Sequence, residues 1–271
     1  MAAVTPEPHV VRRGAGTPIV MVHGNGVDHR LLLALDDVLA PAGSWERIYI
    51  DLPGFGRTPP LAGRGGLQDL ADWLDGVVGD LIGDAPFAAL GNSMGGLLVR
   101  DLVARRQEQC RGFATLAPLV VTDHDRRTLP ERTVLVEDED LLDSLGIADA
   151  ALFGGMTVVQ TPRAWERFRT LALPGIRAAD EAANARLAAA YSLDRDPDAD
   201  LDGFDRPVLV VAARQDSVVG HEDQYAMSLR YPRATFALLD GSGHNINIER
   251  PDEVAALVTA WSDRVFDASP L

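Results

Sequence analysis

The sequence predicts an α/β fold: a mostly parallel sheet, covered by helices on both faces and interrupted by a helical insertion. Three observations carry this. Short apolar runs alternate with helical stripes or long crossovers up to residue 119, and again from residue 207. The runs are rich in Val, Ile, Leu and Ala with little polar alternation, as strands buried on both faces require. Between residues 120 and 206 the rhythm stops, and the segment reads as helices and turns.

The elements follow in order. Pro18–Val22 is an apolar run stopped by His23-Gly24-Asn25-Gly26. Arg47–Ile50 alternates and enters Asp51-Leu52-Pro53-Gly54-Phe55-Gly56-Arg57. Leu67, Leu70, Leu74, Val77, Val78, Leu81 and Ile82 make a helical stripe over Leu67–Ile82. Phe87–Gly91 reads as a strand, Met94–Arg106 as a helix and Gly112–Leu119 as a strand. In the insertion, helices are expected over Asp138–Leu145, Pro162–Leu171 and Arg177–Leu193, with Thr157–Gln160 the one candidate strand. It closes on an acidic, turn-rich run holding Asp194, Asp196, Asp198, Asp200, Asp202 and Asp205. A solvated linker is expected there, because the glycine and terminal glutamate of a calcium-binding EF-hand loop are missing. The sheet pattern returns at Pro207–Ala212, followed by a helix over His221–Arg230, a strand over Thr235–Leu239 and the loop Gly241-Ser242-Gly243-His244. The last helix opens at Pro251, a residue suited to a first helical position, with Val254, Leu257, Val258, Trp261 and Val265 on one face. The expected division is a core of residues 1–119 and 207–271, with an insertion of 120–206.

Composition excludes several classes. The 271 residues are 46% hydrophobic and 24% charged, ordinary for a globular protein. A net charge of −15 argues against nucleic acid and anionic membranes as partners, and leaves a small molecule as the expected one. Every basic residue is Arg, a composition bias from which no mechanism follows. Cys110 is the single cysteine, which excludes an intrachain disulfide and a cysteine-based metal site and leaves a packing role. Met1–Arg13 lacks the apolar stretch of a signal peptide, and no run reaches the ~18 apolar residues of a membrane span, so a cytoplasmic protein is expected. The oligomeric state is not legible in the sequence.

The chemistry concentrates at Gly91-Asn92-Ser93-Met94-Gly95-Gly96, between a strand-like and a helix-like segment. A turn that tight strains its central residue, tolerates only small neighbours and lifts the Ser93 hydroxyl into the open. It also sets the Met94 amide at a helix N-terminus, where developing negative charge is stabilised. A serine hydroxyl needs a base, and the base needs an orienting acid. Loops at the C-terminal ends of parallel strands share one edge of the sheet. His244 is the one histidine of six in a Gly-flanked loop after a late strand. Asp216 follows the strand before it, with Asp123 and Asp51 as competitors. The order Ser93, Asp216, His244 suits a nucleophile elbow. For the second oxyanion donor the Gly-rich first loop offers Asn25, with Gly24 as the fallback, while His23 is expected to bond within its own loop. Met94, Val120 and Met156 are candidate pocket residues.

Taken together, His23-Gly24-Asn25-Gly26, Asp51-Leu52-Pro53-Gly54-Phe55-Gly56, the Ser93 elbow, Asp216 and Gly243-His244 with Glu249 and Pro251 resemble the α/β-hydrolase superfamily. The resemblance implies the α/β-hydrolase fold, with a mostly parallel eight-stranded sheet, a helical cap over 120–206 and no cofactor or metal. It implies catalytic roles for Ser93, Asp216 and His244 and an oxyanion hole at Asn25 and Met94. Members of this superfamily that are dehalogenases or epoxide hydrolases place an aspartate where this chain has Ser93. The elbow is similar to that of meta-cleavage-product hydrolases, which cut carbon–carbon bonds. Those enzymes usually follow the histidine with tryptophan, and this chain has Asn245. Arg163 or Arg177 would be the cap arginine that binds a substrate carboxylate there, although surface positions explain both. Serine-type perhydrolases share the elbow, so that activity is a candidate side reaction. The expectation is a serine hydrolase of a small or medium-sized, largely apolar ester or lactone. The alternatives are a carbon–carbon bond hydrolase and a non-catalytic or biosynthetic scaffold.

Overall fold

The computed structural model describes residues 6–40 and 45–267. Seven strands form one sheet: β1 Val10–Arg13, β2 Thr17–Val22, β3 Trp45–Ile50, β4 Phe87–Asn92, β5 Cys110–Leu116, β6 Val208–Ala213 and β7 Ala234–Leu239. Their spatial order is β1-β3-β2-β4-β5-β6-β7. β1 pairs antiparallel with β3, and every other pairing is parallel. The sheet has one strand fewer, among the described residues, than the eight the resemblance implies. Residues 6–9, just before the edge strand β1, include Pro6 and Pro8, which lack the N–H a ladder needs.

Thirteen α-helices flank the strands among the described residues, with a 3₁₀ turn at His124–Arg126. Those before β6 are α1 Arg30–Leu33, α2 Asp36–Leu39, α3 Leu67–Ile82, α4 Met94–Arg105, α5 Glu139–Ser144, α6 Ile147–Met156, α7 Pro162–Leu171, α8 Leu173–Ala178, α9 Glu181–Ala189 and α10 Pro197–Asp200. After it come α11 Glu222–Ser228, α12 Ile246–Glu249 and α13 Pro251–Asp267. Side chains alternate across a strand, so each central strand feeds two cores. Val20 and Val22 of β2 face a cluster with Leu70, Leu74 and Val78 of α3 and Leu98 of α4. Ile19 and Met21 face the opposite cluster with Leu39 of α2 and Val254, Val258 and Trp261 of α13. The stripe read over Leu67–Ile82 is the face that α3 buries.

Between β5 and β6 the chain is helical and makes a third cluster. Phe153, Trp165, Phe168 and Leu173 pack there against Leu31 and Ile248. Three expectations change in this stretch. The helix expected over Arg177–Leu193 is split, because Ala179 is extended and the Asp180 carboxylate accepts the Ala183 N–H at 2.7 Å to start α9. Thr157–Gln160 is not a strand and contributes one isolated bridge, Val159 to Val136. The acidic run is not all solvated: Asp198 in α10 is buried, with its carboxylate 3.0 Å from Arg100 Nε and accepting the Tyr231 hydroxyl. No helix among the described residues is long and apolar enough to cross a membrane.

Candidate active site

β4 hands directly to α4 at Ser93, whose backbone is forced to φ 53° and ψ −120°. Ser93 and Ala117 are the non-glycine residues of positive φ among those described, and such a conformation costs of order 1–3 kcal/mol. The glycines make the turn possible. A Cβ on Gly91 would strike the Gly95 carbonyl, and one on Gly95 would strike the carbonyls of Val22 and His23. The strained turn is clamped by the Ser93 N–H donating to Leu116 O at 3.0 Å and by Ser93 O accepting from the Leu119 N–H at 2.9 Å.

His244 lies on the loop after β7, as expected, and Asp216 on the loop after β6. His244 Nε2 is 2.9 Å from Ser93 Oγ, and its Nδ1 is 2.9 Å from Asp216 Oδ2. Asp216 is fully buried, and its other oxygen accepts the N–H groups of Val218 at 2.9 Å and Val219 at 3.1 Å. Three side chains from distant loops thus form one hydrogen-bonded line ending at a hydroxyl. Met94 opens α4, and the first N–H groups of a helix have no intrahelical acceptor. Asn25 lines the same cleft as Ser93 and His244. A Cβ on the neighbouring Gly24 would sit 3.0 Å from the Ser93 Cβ, so the first loop is held close to the elbow.

A sequence model of the α/β hydrolase fold matches residues 17–251. The chain belongs to that family. Over 257 residues, 91% of this chain and 95% of the relative, it is 29% identical to a pimeloyl-[acyl-carrier protein] methyl ester esterase from Xanthomonas campestris pv. campestris. A Shewanella protein of the same name is 35% identical over 112 residues, but that match spans only 41% of this chain and 39% of the relative. Among solved structures, an α/β superfamily hydrolase from Oenococcus oeni PSU-1 shares the fold, with a TM-score of 0.88 and 23% identity across 98% of this chain and 100% of that one.

In this α/β hydrolase the hydroxyl of Ser93 opens on a cleft of about 740 Å³. Leu119, Met156, Ala188, Ala189, Val218 and Val219 supply its apolar wall. Thr122, Arg127, Tyr191 and Ser192 supply polar groups that the sequence reading does not single out, beside Asp123, which it weighs as an orienting acid, and His124. They sit in stretches without a motif, and only the folding of 120–127 and 188–192 over the sheet edge brings them here. The Arg127 guanidinium is occupied, donating to the carbonyls of Val121, Thr122 and Val218 at 2.8, 3.1 and 2.8 Å. Burial pushes the Tyr191 phenol up to about 12, so it stays protonated at neutral pH. Of the candidate pocket residues, Met156 lines this cleft, Val120 lines a neighbouring one and Met94 is buried without lining either.

His244 bonds Asp216 and neither of its competitors, of which Asp123 also lines the cleft and Asp51 lies outside it. Asp123 is exposed and accepts the Asp125 N–H at 3.1 Å. Asp51 is buried between two histidines, 2.9 Å from His9 Nδ1 and 2.8 Å from His29 Nδ1. Burial pushes its carboxyl up, but hydrogen bonds from the His29 side chain and backbone outweigh that and hold it well below the usual carboxylate range. These three residues are metal-ligand types within reach of one another; here each imidazole is already hydrogen-bonded to the shared carboxylate. His23 bonds within its own loop, Nδ1 to Gly24 O at 2.7 Å, and its Nε2 accepts the Leu52 N–H at 3.0 Å. Burial lowers its proton affinity, which leaves the neutral ring this pattern needs. Arg163 and Arg177 lie outside the cleft, Arg177 at 2.7 Å from Asp149 and Arg163 at 3.6 Å from Asp252. Cys110 is buried, and burial pushes its thiol up to about 12, which makes it inert packing.

Proposed function

We propose that this α/β hydrolase is a serine hydrolase that cleaves a small or medium-sized, largely apolar ester or lactone through an acyl-enzyme. The observation that carries the reading is the unbroken line from Asp216 through His244 to Ser93, with both links at 2.9 Å. Ser93 Oγ attacks the carbonyl carbon while His244 Nε2 accepts its proton. Asp216 holds the imidazole in one tautomer and stabilises its cationic form. The amides of Met94 and Asn25 receive the charge that develops on the carbonyl oxygen; each such donor is worth on the order of 3 kcal/mol in the transition state. His244 then protonates the departing alcohol, and a water activated by the same nitrogen attacks the acyl-enzyme and releases the acid.

The relatives named as methyl ester esterases support an ester as the bond cleaved. We take the bond from them and leave the carrier-bound acyl chain aside, because a body of net charge −15 repels anionic partners. The carbon–carbon alternative draws no support from a cap arginine, since neither Arg163 nor Arg177 reaches the cleft and Arg127, which does, is engaged by the carbonyls of Val121, Thr122 and Val218. The test is hydrolysis of a p-nitrophenyl ester series by the wild type and by Ser93→Ala, with labelling by a fluorophosphonate. Turnover and labelling lost in Ser93→Ala, with melting unchanged, support the reading. Undiminished hydrolysis by that variant removes it. A ring-cleavage dienoate assayed in parallel separates ester from carbon–carbon cleavage.

A further inference from the structure

Five residues after His244, the carboxylate of Glu249 spans two parts of the chain that are far apart in sequence. Oε1 accepts the N–H groups of Val158 at 2.7 Å and Val159 at 2.9 Å, and Oε2 accepts the N–H of Gly243 at 2.9 Å. Gly243 immediately precedes His244. Val158 and Val159 follow Met156, which lines the cleft. The same two segments also touch directly: a Cβ on Gly243 would press on Val158 Cγ2, with Met156 O 3.3 Å away. The 157–160 stretch is tied to its own insertion by a bridge to Val136, with Leu135 N–H to Val158 O at 2.9 Å and Gln160 N–H to Val136 O at 2.8 Å, and by Thr157 N–H to Phe153 O at 3.0 Å, so Glu249 is what couples it to the His244 loop. Glu249 is itself anchored, as the last residue of α12, by its N–H to Asn245 O at 3.0 Å.

We infer that Glu249 is a positioning residue: its carboxylate sets the His244 loop against the wall of the substrate cleft, so that imidazole and cleft keep one fixed spacing. An ionised carboxylate suits this place because it accepts on both oxygens and donates on neither. An amide of the same shape does not. If a Gln oxygen kept the two valine N–H groups, its NH₂ would face the Gly243 N–H, donor against donor. The loop would then be released by the small distances that matter for proton transfer. Displacements near 1 Å cost on the order of 100-fold in rate.

The inference rests on the proposed hydrolase reading, and the experiment separates the two. Fluorophosphonate labelling of the wild type at Ser93 tests that reading alone. The inference is tested by Glu249→Gln, with p-nitrophenyl ester kinetics, labelling rate, thermal melting and the low-field proton resonance of the His244–Asp216 hydrogen bond. The expected result is kcat lower by about 10- to 100-fold, KM changed less than about threefold, labelling slowed in parallel, and the resonance broadened or shifted in a protein that still melts cooperatively. A second pair of variants bears on the same contact if Glu249→Gln fails to fold. Gly243→Ala should lower kcat by pushing the loop off Val158, and adding Val158→Ala should restore much of it. Wild-type kcat and an unmoved resonance in Glu249→Gln, or no effect of Gly243→Ala, would overturn the inference. The resonance reports on the loop even if no ester is turned over.

Discussion

At the residue scale, function depends on single atoms held where the free chain would not keep them. Ser93 sits in a backbone region that side chains avoid, and the glycines around it are there because a methyl group would strike a carbonyl. Gly95→Ala is therefore expected to cost about 1–3 kcal/mol by overpacking, read as a lower urea midpoint with the elbow displaced. Asp216 is buried, with one oxygen held by two backbone N–H groups and the other on His244, so its loss should fall on chemistry. Asp216→Asn should lower kcat by about 10⁴-fold with melting little changed, because the amide favours the wrong tautomer; steady-state kinetics beside a melting curve checks it. Asp51 makes a different prediction, about stability. Its folded carboxyl is held below its unfolded range of about 3.9. The stabilisation is thus complete above about pH 4 and is lost as pH falls through the depressed folded value. Asp51→Asn should be less stable at pH 7 and show a shallower loss of stability in acid, measured by urea unfolding across that range.

At the scale of elements, periodicity is a good guide where one face alone is buried. α3 and α7 have the bounds their stripes indicate, and β2 through β7 lie within a few residues of their apolar runs. It fails where the pattern carries no contrast. α6 escapes it because its sequence, IADAALFGGM, is mostly small residues with two glycines and shows no stripe, and its one β-branched residue, Ile147, is 92% exposed. β1 escapes it as a four-residue edge strand ending in two exposed arginines. Asp198 reads as solvated because its counter-charge comes from α4, nearly a hundred residues earlier. Arg100 is fully buried, donates to Leu119 O at 2.9 Å and lies 3.0 Å from Asp198, which also accepts the Tyr231 hydroxyl. Arg100→Met should destabilise by about 3–5 kcal/mol, because it strands a buried carboxylate. Adding Asp198→Asn should recover part of that loss, seen as a partial return of the melting temperature.

At the scale of the molecule, an acidic body surrounds a cleft whose wall is partly apolar. A net charge of −15 should draw cationic esters toward the site. Raising salt from about 0.01 to 0.5 M shortens the screening length severalfold. kcat/KM for a cationic ester should then fall severalfold, while that of a neutral ester of the same size stays level; parallel assays across the salt series decide it. By itself the sequence determined the α/β class, the place where the strand rhythm breaks, and the identities and order of Ser93, Asp216 and His244. These are legible because local sterics and burial periodicity act between near neighbours in the chain. Tertiary structure alone decided that the three side chains meet within hydrogen-bond distance, that Asp51 belongs to His9 and His29, that Tyr191 and Arg127 wall the cleft, and that Glu249 joins the His244 loop to Val158 and Val159. Such pairings depend on how segments separated by tens to hundreds of residues pack around the sheet, and no short-range pattern in the chain encodes that distance.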